Sequence, residues 1–300
     1  MIRTLSIALL ALVTATFANA QSVLLIPDSA NDRVAAFSPV DGSVIDLNFI
    51  PPNAGFVTPI NALDSGRGTV FVTDQFADTV LEFAIDGTFI GTFADISQGL
   101  DNIRGAQVNN GSLFVTVGDG ALEDTIQQID IASGAQSTWA STNVLSPFDI
   151  FFRGNDVLVS TIDSENIESY DLNGNFLSTF HDSDGVSGID FPEQITLASN
   201  GDVLVAGFSA PAGIYRYDSN GNQIGVIDVG TGVRGVYELQ NGNILWTAGT
   251  GVFSLDPATG ISDLITDDGS WRFIENVTVP EPGGFGLLLI GAMALVRRRP

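Results

Sequence analysis

Apolar runs of four residues recur along the middle of the chain: VLLI from Val23, VFVT from Val70, LFVT from Leu113, VLVS from Val157, VLVA from Val203 and ILWT from Ile244. Runs this short, unbroken by polar residues and bounded by them, predict strands buried on both faces. After each comes a segment that alternates apolar and polar positions and closes on a Gly-containing turn, as in TVLEFAIDG from Thr79 and IYRYDSNG from Ile214. Alternation buries one face, and the glycine supplies the positive φ of a hairpin. A further strand follows each turn, as from Asn222, and another precedes each run from the second onward: PINALD from Pro59, NIRGAQV from Asn102, PFDIFF from Pro147, PEQITLA from Pro192 and VRGVYEL from Val233. No stretch between the chain ends carries the period of an amphipathic helix, which excludes an α/β enzyme fold.

The six runs are spaced by 47, 43, 44, 46 and 41 residues. A β-rich unit repeating every forty-odd residues is the signature of propeller blades. The first unit lacks its leading strand, and RFIENVTV, from Arg272 to Val279, supplies one at the far end of the chain. The fold expected is therefore all-β, a six-bladed β-propeller closed by its C-terminal strand, with no free sheet edge left at the joint. The loose pattern P-x-x-I, G-x-L-x-V, I-x-x-Y-D-x-x-G, fullest from Phe191 to Ile224, resembles NHL and related six-bladed propellers, a group that includes regucalcin-like lactonases. That resemblance covers nearly all of the central domain and specifies architecture rather than chemistry.

The two ends read differently. Arg3, an apolar stretch from Leu5 to Phe17 and Ala18-Asn19-Ala20 form a secretory signal peptide, residues 1–20, cleaved before Gln21. At the other end, Val279, Pro280, Glu281 and Pro282 lead into an uncharged run from Gly283 to Val296, followed by Arg297, Arg298 and Arg299. As a helix that run spans about 21 Å, enough for a short transmembrane segment with its basic end in the cytoplasm. Pro-Glu-Pro, short apolar helix and terminal Arg cluster resemble the PEP-CTERM sorting signal of Gram-negative envelope proteins. The resemblance implies recognition by an exosortase-type membrane protease, transient membrane contact through residues 280–300, and delivery to the cell surface or beyond, often in bacteria that make exopolysaccharide. Residues 21–279 are then the propeller, with signal peptidase as an earlier partner.

Composition narrows the function. The chain has no Cys and no Lys, and outside its two ends seven Arg face 34 acidic residues. Such a domain repels nucleic acid and anionic lipid, and its export requires a core that holds without disulfides. In a propeller the leading strands line a central channel, so Asn61, Arg104, Asp149, Glu193 and Arg234, with Arg272 and Glu275 from the closing strand, are candidates for its mouth. Two readings follow. In one the charges neutralise each other, and the propeller is a non-enzymatic binding or scaffold module for envelope protein or polysaccharide. In the other, Asn61, Asp149 and Glu193 hold a divalent metal as in the regucalcin-like lactonases, since hard cations choose carboxylate and amide oxygens; Arg104 and Arg234 beside them oppose a cation. No catalytic residue set is expected, and no resident cofactor; Ca²⁺ is the ion the alternative would use. The HDSDG loop from His181 lacks the spacing of an EF-hand, and Asp28, Asp74, Asp119 and Asp163 are expected to tie down loops.

Overall fold

The computed structural model describes residues 20–52, 54–183 and 188–280. The signal peptide predicted at residues 1–20 and the sorting tail predicted at 280–300 lie outside them except for Ala20 and Pro280. The chain divides into a body, Ser22–Val277, and a second unit, Met1–Gln21 with Thr278–Pro300, of which only the strand ends Ala20, Gln21 and Thr278–Pro280 are described.

Among the described residues there are six four-stranded sheets. The first has the order β24 (Glu275–Pro280), β1 (Ala20–Asp28), β2 (Arg33–Phe37), β3 (Val44–Ile50). The second runs β4 (Pro59–Asp64), β5 (Thr69–Asp74), β6 (Thr79–Ala84), β7 (Phe89–Asp95), and the third β8 (Ile103–Asn109), β9 (Ser112–Val117), β10 (Thr125–Asp130), β11 (Gln136–Ala140). The fourth comprises β12 (Pro147–Arg153), β13 (Asp156–Thr161), β14 (Asn166–Asp171) and β15 (Phe176–His181). The fifth comprises β16 (Pro192–Leu197), β17 (Val203–Gly207), β18 (Gly213–Tyr217) and β19 (Gln223–Ile227), and the sixth β20 (Gly235–Glu238), β21 (Ile244–Ala248), β22 (Gly251–Asp256) and β23 (Ile261–Thr266). Among the described residues helical structure is limited to single 3₁₀ turns at Ile96–Gln98 and Gly120–Leu122, and no helix there is long and apolar enough to cross a membrane.

The leading strands lie side by side, β4 by β8, β8 by β12, β12 by β16 and β16 by β20. The chain before β24 completes the circuit: Phe273 N–H donates to Ile60 O in β4 at 3.2 Å, and Arg272 N–H to Pro27 O in β1 at 3.0 Å. This is a six-bladed β-propeller, closed by its last strand. The regular strand starts at Glu275 rather than Arg272, because Trp271 to Ile274 are held by a bridge to Asp28 and by bonds to neighbouring blades.

Burial explains why the runs look as they do. The second strands β5, β9, β13, β17 and β21 are buried almost throughout, whereas the outer strands β3, β7, β15, β19 and β23 are largely exposed. An inner blade strand touches a sheet on each side, so both its faces are apolar; an outer strand keeps water on both. Core clusters accordingly sit between blades, for example Phe71, Val80 and Leu63 of the second against Leu113, Val115 and Ile129 of the third.

Candidate functional site at the channel

Four of the leading strands break register at the same place, between Pro59 and Asn61, Ile103 and Ala106, Pro147 and Asp149, and Pro192 and Ile195. A bulge re-aims the side chains beside it, and here it separates the predicted mouth residues into two levels. Asn61, Asp149 and Gly235 pair with Thr73, Ser160 and Thr247 of their second strands. Arg104, Glu193 and Arg234 stand one residue earlier, next to Gly105, Gln194 and Gly235.

The inner level is polar and wired to backbone. Asn61 donates its amide to Ala106 O at 2.9 Å. Asp149 accepts from Ile195 N–H at 2.8 Å, across to the next blade. Gln194 receives both Val236 and Ile274 N–H at 3.0 Å and donates to Ile274 O at 2.8 Å, joining three blades. Glu275 comes within 3.5 Å of Gln194 Nε2. Burial pushes the Asp149 carboxyl up to about 7. Glu275 is pushed up to about 8 by burial and by the charge of Asp149, against hydrogen bonds from Asn61 and Gln194. No cation is paired with either among the described residues, so near neutrality Glu275 favours the protonated form and Asp149 is divided between its two forms. Gly105 and Gly235 make room: a Cβ on the first would meet Asp149 Oδ1 at 2.5 Å, and on the second Arg272 O at 2.6 Å.

The outer level alternates apolar and charged side chains. Ile60, Phe148 and Phe273 are buried together, with Ile162 and Phe191 packed on them. Between them stand Arg104, Glu193 and Arg234. Glu193, 1 % exposed, pairs with Arg234 Nη1 at 3.2 Å. Its carboxyl is pushed up to about 7 by burial, while Arg234, Arg272 and Arg104 act in the opposite sense. Arg104 instead bonds neutral groups, Ser146 Oγ at 3.0 Å and Pro147 O at 3.1 Å. Arg272 donates to Ser29 Oγ at 2.9 Å, and burial together with Arg234 lowers its guanidinium to about 10. The guanidinium of Arg104 sits 5.0 Å from the Phe148 ring centre and that of Arg234 4.3 Å from Phe208. Phe191 stands between those two rings, 5.5 Å from each.

Asn61, Asp149 and Glu193 therefore occupy different levels, with Glu193 turned to arginines and Asn61 and Asp149 nearer to Glu275. No group of three or more His, Cys, Asp or Glu with metal-site geometry occurs among the described residues. His181 lies far out on β15, its Nδ1 3.1 Å from Gly221 O and its ring 4.4 Å from Tyr217. Part of the loop after it, residues 184–187, is not among those described. Asp28 and Asp74 bind loops, accepting Ala30 and Ser270 N–H in one case and Val57, Thr58 and Ala77 N–H in the other. Sequence reasoning missed Phe191, Phe208 and Gln194. A bulky residue before Pro192 was the one available sign of Phe191, whose backbone adopts φ 53°.

No family model and no curated protein sequence matches the chain. Solved structures do match. A chain of a nidogen/laminin complex superposes with TM-score 0.70 at 14 % identity, covering 85 % of this chain and 98 % of that one. A Bacteroides caccae protein of unknown function gives 0.61 at 15 % identity over 85 % and 98 %. A catalytically inactive virginiamycin B lyase from Staphylococcus aureus with quinupristin gives 0.59 at 13 % identity over 86 % and 96 %. At these identities the likeness is one of fold.

Proposed function

We propose that this chain is an exported, non-enzymatic binding or scaffold propeller of the cell envelope or extracellular matrix, sorted through its Pro-Glu-Pro tail by an exosortase-type protease. One observation carries the binding reading: the channel is filled by an apolar layer of Ile60, Phe148 and Phe273, and its polar groups are largely committed to backbone and to each other. A hydrolase needs a nucleophile or activated water within reach of a base; Asp149, Gln194 and Ser160 are instead spent joining blades. The nidogen/laminin complex is a precedent for this fold in a protein–protein complex, and the acidic surface suits a soluble exported module. The sorting reading rests on the order Val279 to Pro282, apolar run, Arg297 to Arg299.

The reading is tested by co-sedimenting the purified chain with the exopolysaccharide and with the envelope fraction of its own cells, alongside lactone hydrolysis in millimolar Ca²⁺ or Zn²⁺. Saturable retention without hydrolysis is the expected outcome. Metal-dependent hydrolysis lost in Glu193→Gln would replace the scaffold with the lactonase. For the sorting step, mass spectrometry of the native protein is expected to find its last residue near Val279 rather than at Pro300.

A further inference from the structure

Three guanidinium groups, Arg104, Arg234 and Arg272, act on a single carboxylate, Glu193. Among the described residues only Arg234 makes an ion pair with it. Arg104 and Arg272 are bonded to a serine hydroxyl and a carbonyl, and to a serine hydroxyl, although the chain carries 35 acidic residues. Asp119, Asp124 and Asp163 reach Arg104 electrostatically, without a bond to it. The mouth of the channel thus gathers three guanidinium groups, one of them ion-paired and two bonded to neutral groups, inside a strongly negative protein. Arg104 is only 6 % exposed, yet its Nε has no partner; the Nε of Arg234 and Oε2 of Glu193 are likewise buried and unpartnered.

Below these groups lies an apolar floor. Arg104 stacks on Phe148 and Arg234 on Phe208, with Phe191 linking the two rings. Phe191 and Phe208 each keep part of their surface open to solvent. A guanidinium lying on an aromatic face leaves its edge donors pointing outward, the geometry that receives an oxyanion. A low-dielectric floor strengthens the attraction.

We propose that this mouth binds an oxyanion carried on a ring or apolar body: the carboxylate faces Arg104, Arg234 and Arg272, and the body rests on Phe191 and Phe208. The inference rests on the binding reading above and names the chemistry its channel would select. A free apolar acid and an acidic sugar share that chemistry.

Isothermal titration calorimetry on the full chain at low ionic strength separates them, using benzoate, glucuronate and inorganic sulfate as probes. Benzoate or glucuronate is expected to saturate, and to bind more tightly than sulfate, which has no body to rest on Phe191. Arg234→Gln and Arg272→Gln should each weaken binding by about tenfold or more, and Arg272→Lys should recover part of the loss. Arg153→Gln, which loses an ion pair with Asp156 on the rim, should bind as the parent does. Circular dichroism melting identifies any variant that fails to fold, and added chloride should weaken binding in the parent. Saturation by glucuronate alone assigns an acidic sugar, and by benzoate alone a free acid. The proposal is overturned if no probe gives saturable heat up to about 10 mM, or if folded Arg234→Gln and Arg272→Gln bind like the parent. Retention of the chain on its envelope fraction in that case would leave the scaffold reading standing, and hydrolysis alongside anion binding would remove the scaffold and keep the site.

Discussion

Gly221 meets two demands. Its φ of +84° is the turn conformation the Asn-Gly pattern predicts, and a Cβ there would also collide with the Phe180 carbonyl oxygen of the preceding blade. Gly87 and Gly174 press in the same way on the carbonyls of Phe49 and Trp139. Gly242 has a similar φ of +87° with open space around it. Gly221→Ala should therefore cost more than the about 1–3 kcal/mol of backbone strain that Gly242→Ala alone incurs, read as a difference in urea midpoint. Asp149 and Glu275 make a second prediction. Their folded values, raised to about 7 and about 8, lie above the ordinary carboxylate range, so between these limits the folded chain holds protons that the unfolded chain has released. The stability these groups contribute is complete below the unfolded values and is lost as pH rises through the folded ones. The melting temperature should fall from about pH 5 to about pH 9, and Glu275→Gln should flatten that fall.

Between elements, the last residue of four of the six apolar runs has a task that no sequence period discloses. Thr73 donates to Arg104 O at 2.7 Å, Ser160 to Glu193 O at 2.9 Å and Thr247 to Arg272 O at 2.7 Å, each from a second strand to the innermost segment of the next blade. Thr116 reaches Phe148 O at 3.4 Å. Thr247→Val should cost about 0.5–1.5 kcal/mol, nearly additively with Thr73→Val because they lie in different interfaces. Ser160→Ala and Thr73→Val should each cost more than Thr247→Val, for Ser160 also accepts from Asp149 N–H at 2.9 Å and Thr73 from Asn61 N–H at 3.2 Å, so either loss strands two buried groups. The strands themselves were legible because burial on two faces writes an unbroken apolar run. The two-level arrangement of Asn61 and Arg104 was not, since a bulge moves the aim of a side chain by one residue without changing which residue types are present. The ring of Phe148, Phe191 and Phe208 was hidden for a related reason: contacts made across blades have no fixed spacing along the chain.

At the scale of the molecule, the near-constant spacing of six runs and the missing strand of the first blade made the closed ring legible from sequence. Which polar residues pair, and which are left over, depended on three-dimensional detail that spacing does not carry. Closure gives the last prediction. A chain ending after Ile274 leaves β1 as a bare inner edge and removes Glu275 from the channel; it should aggregate or elute as larger species in gel filtration, whereas one ending after Pro280 should remain monodisperse. The order of the first sheet, β24 beside β1, also sets a timetable. Sheets two to six each take their strands from one continuous segment and can assemble as that segment is made, but β1 to β3, though synthesised earliest, stand incomplete until residue 275 and beyond are free to join them. Maturation of the whole ring is thus latched to the arrival of its final few residues, and whatever holds the chain just past Pro280 holds the latch.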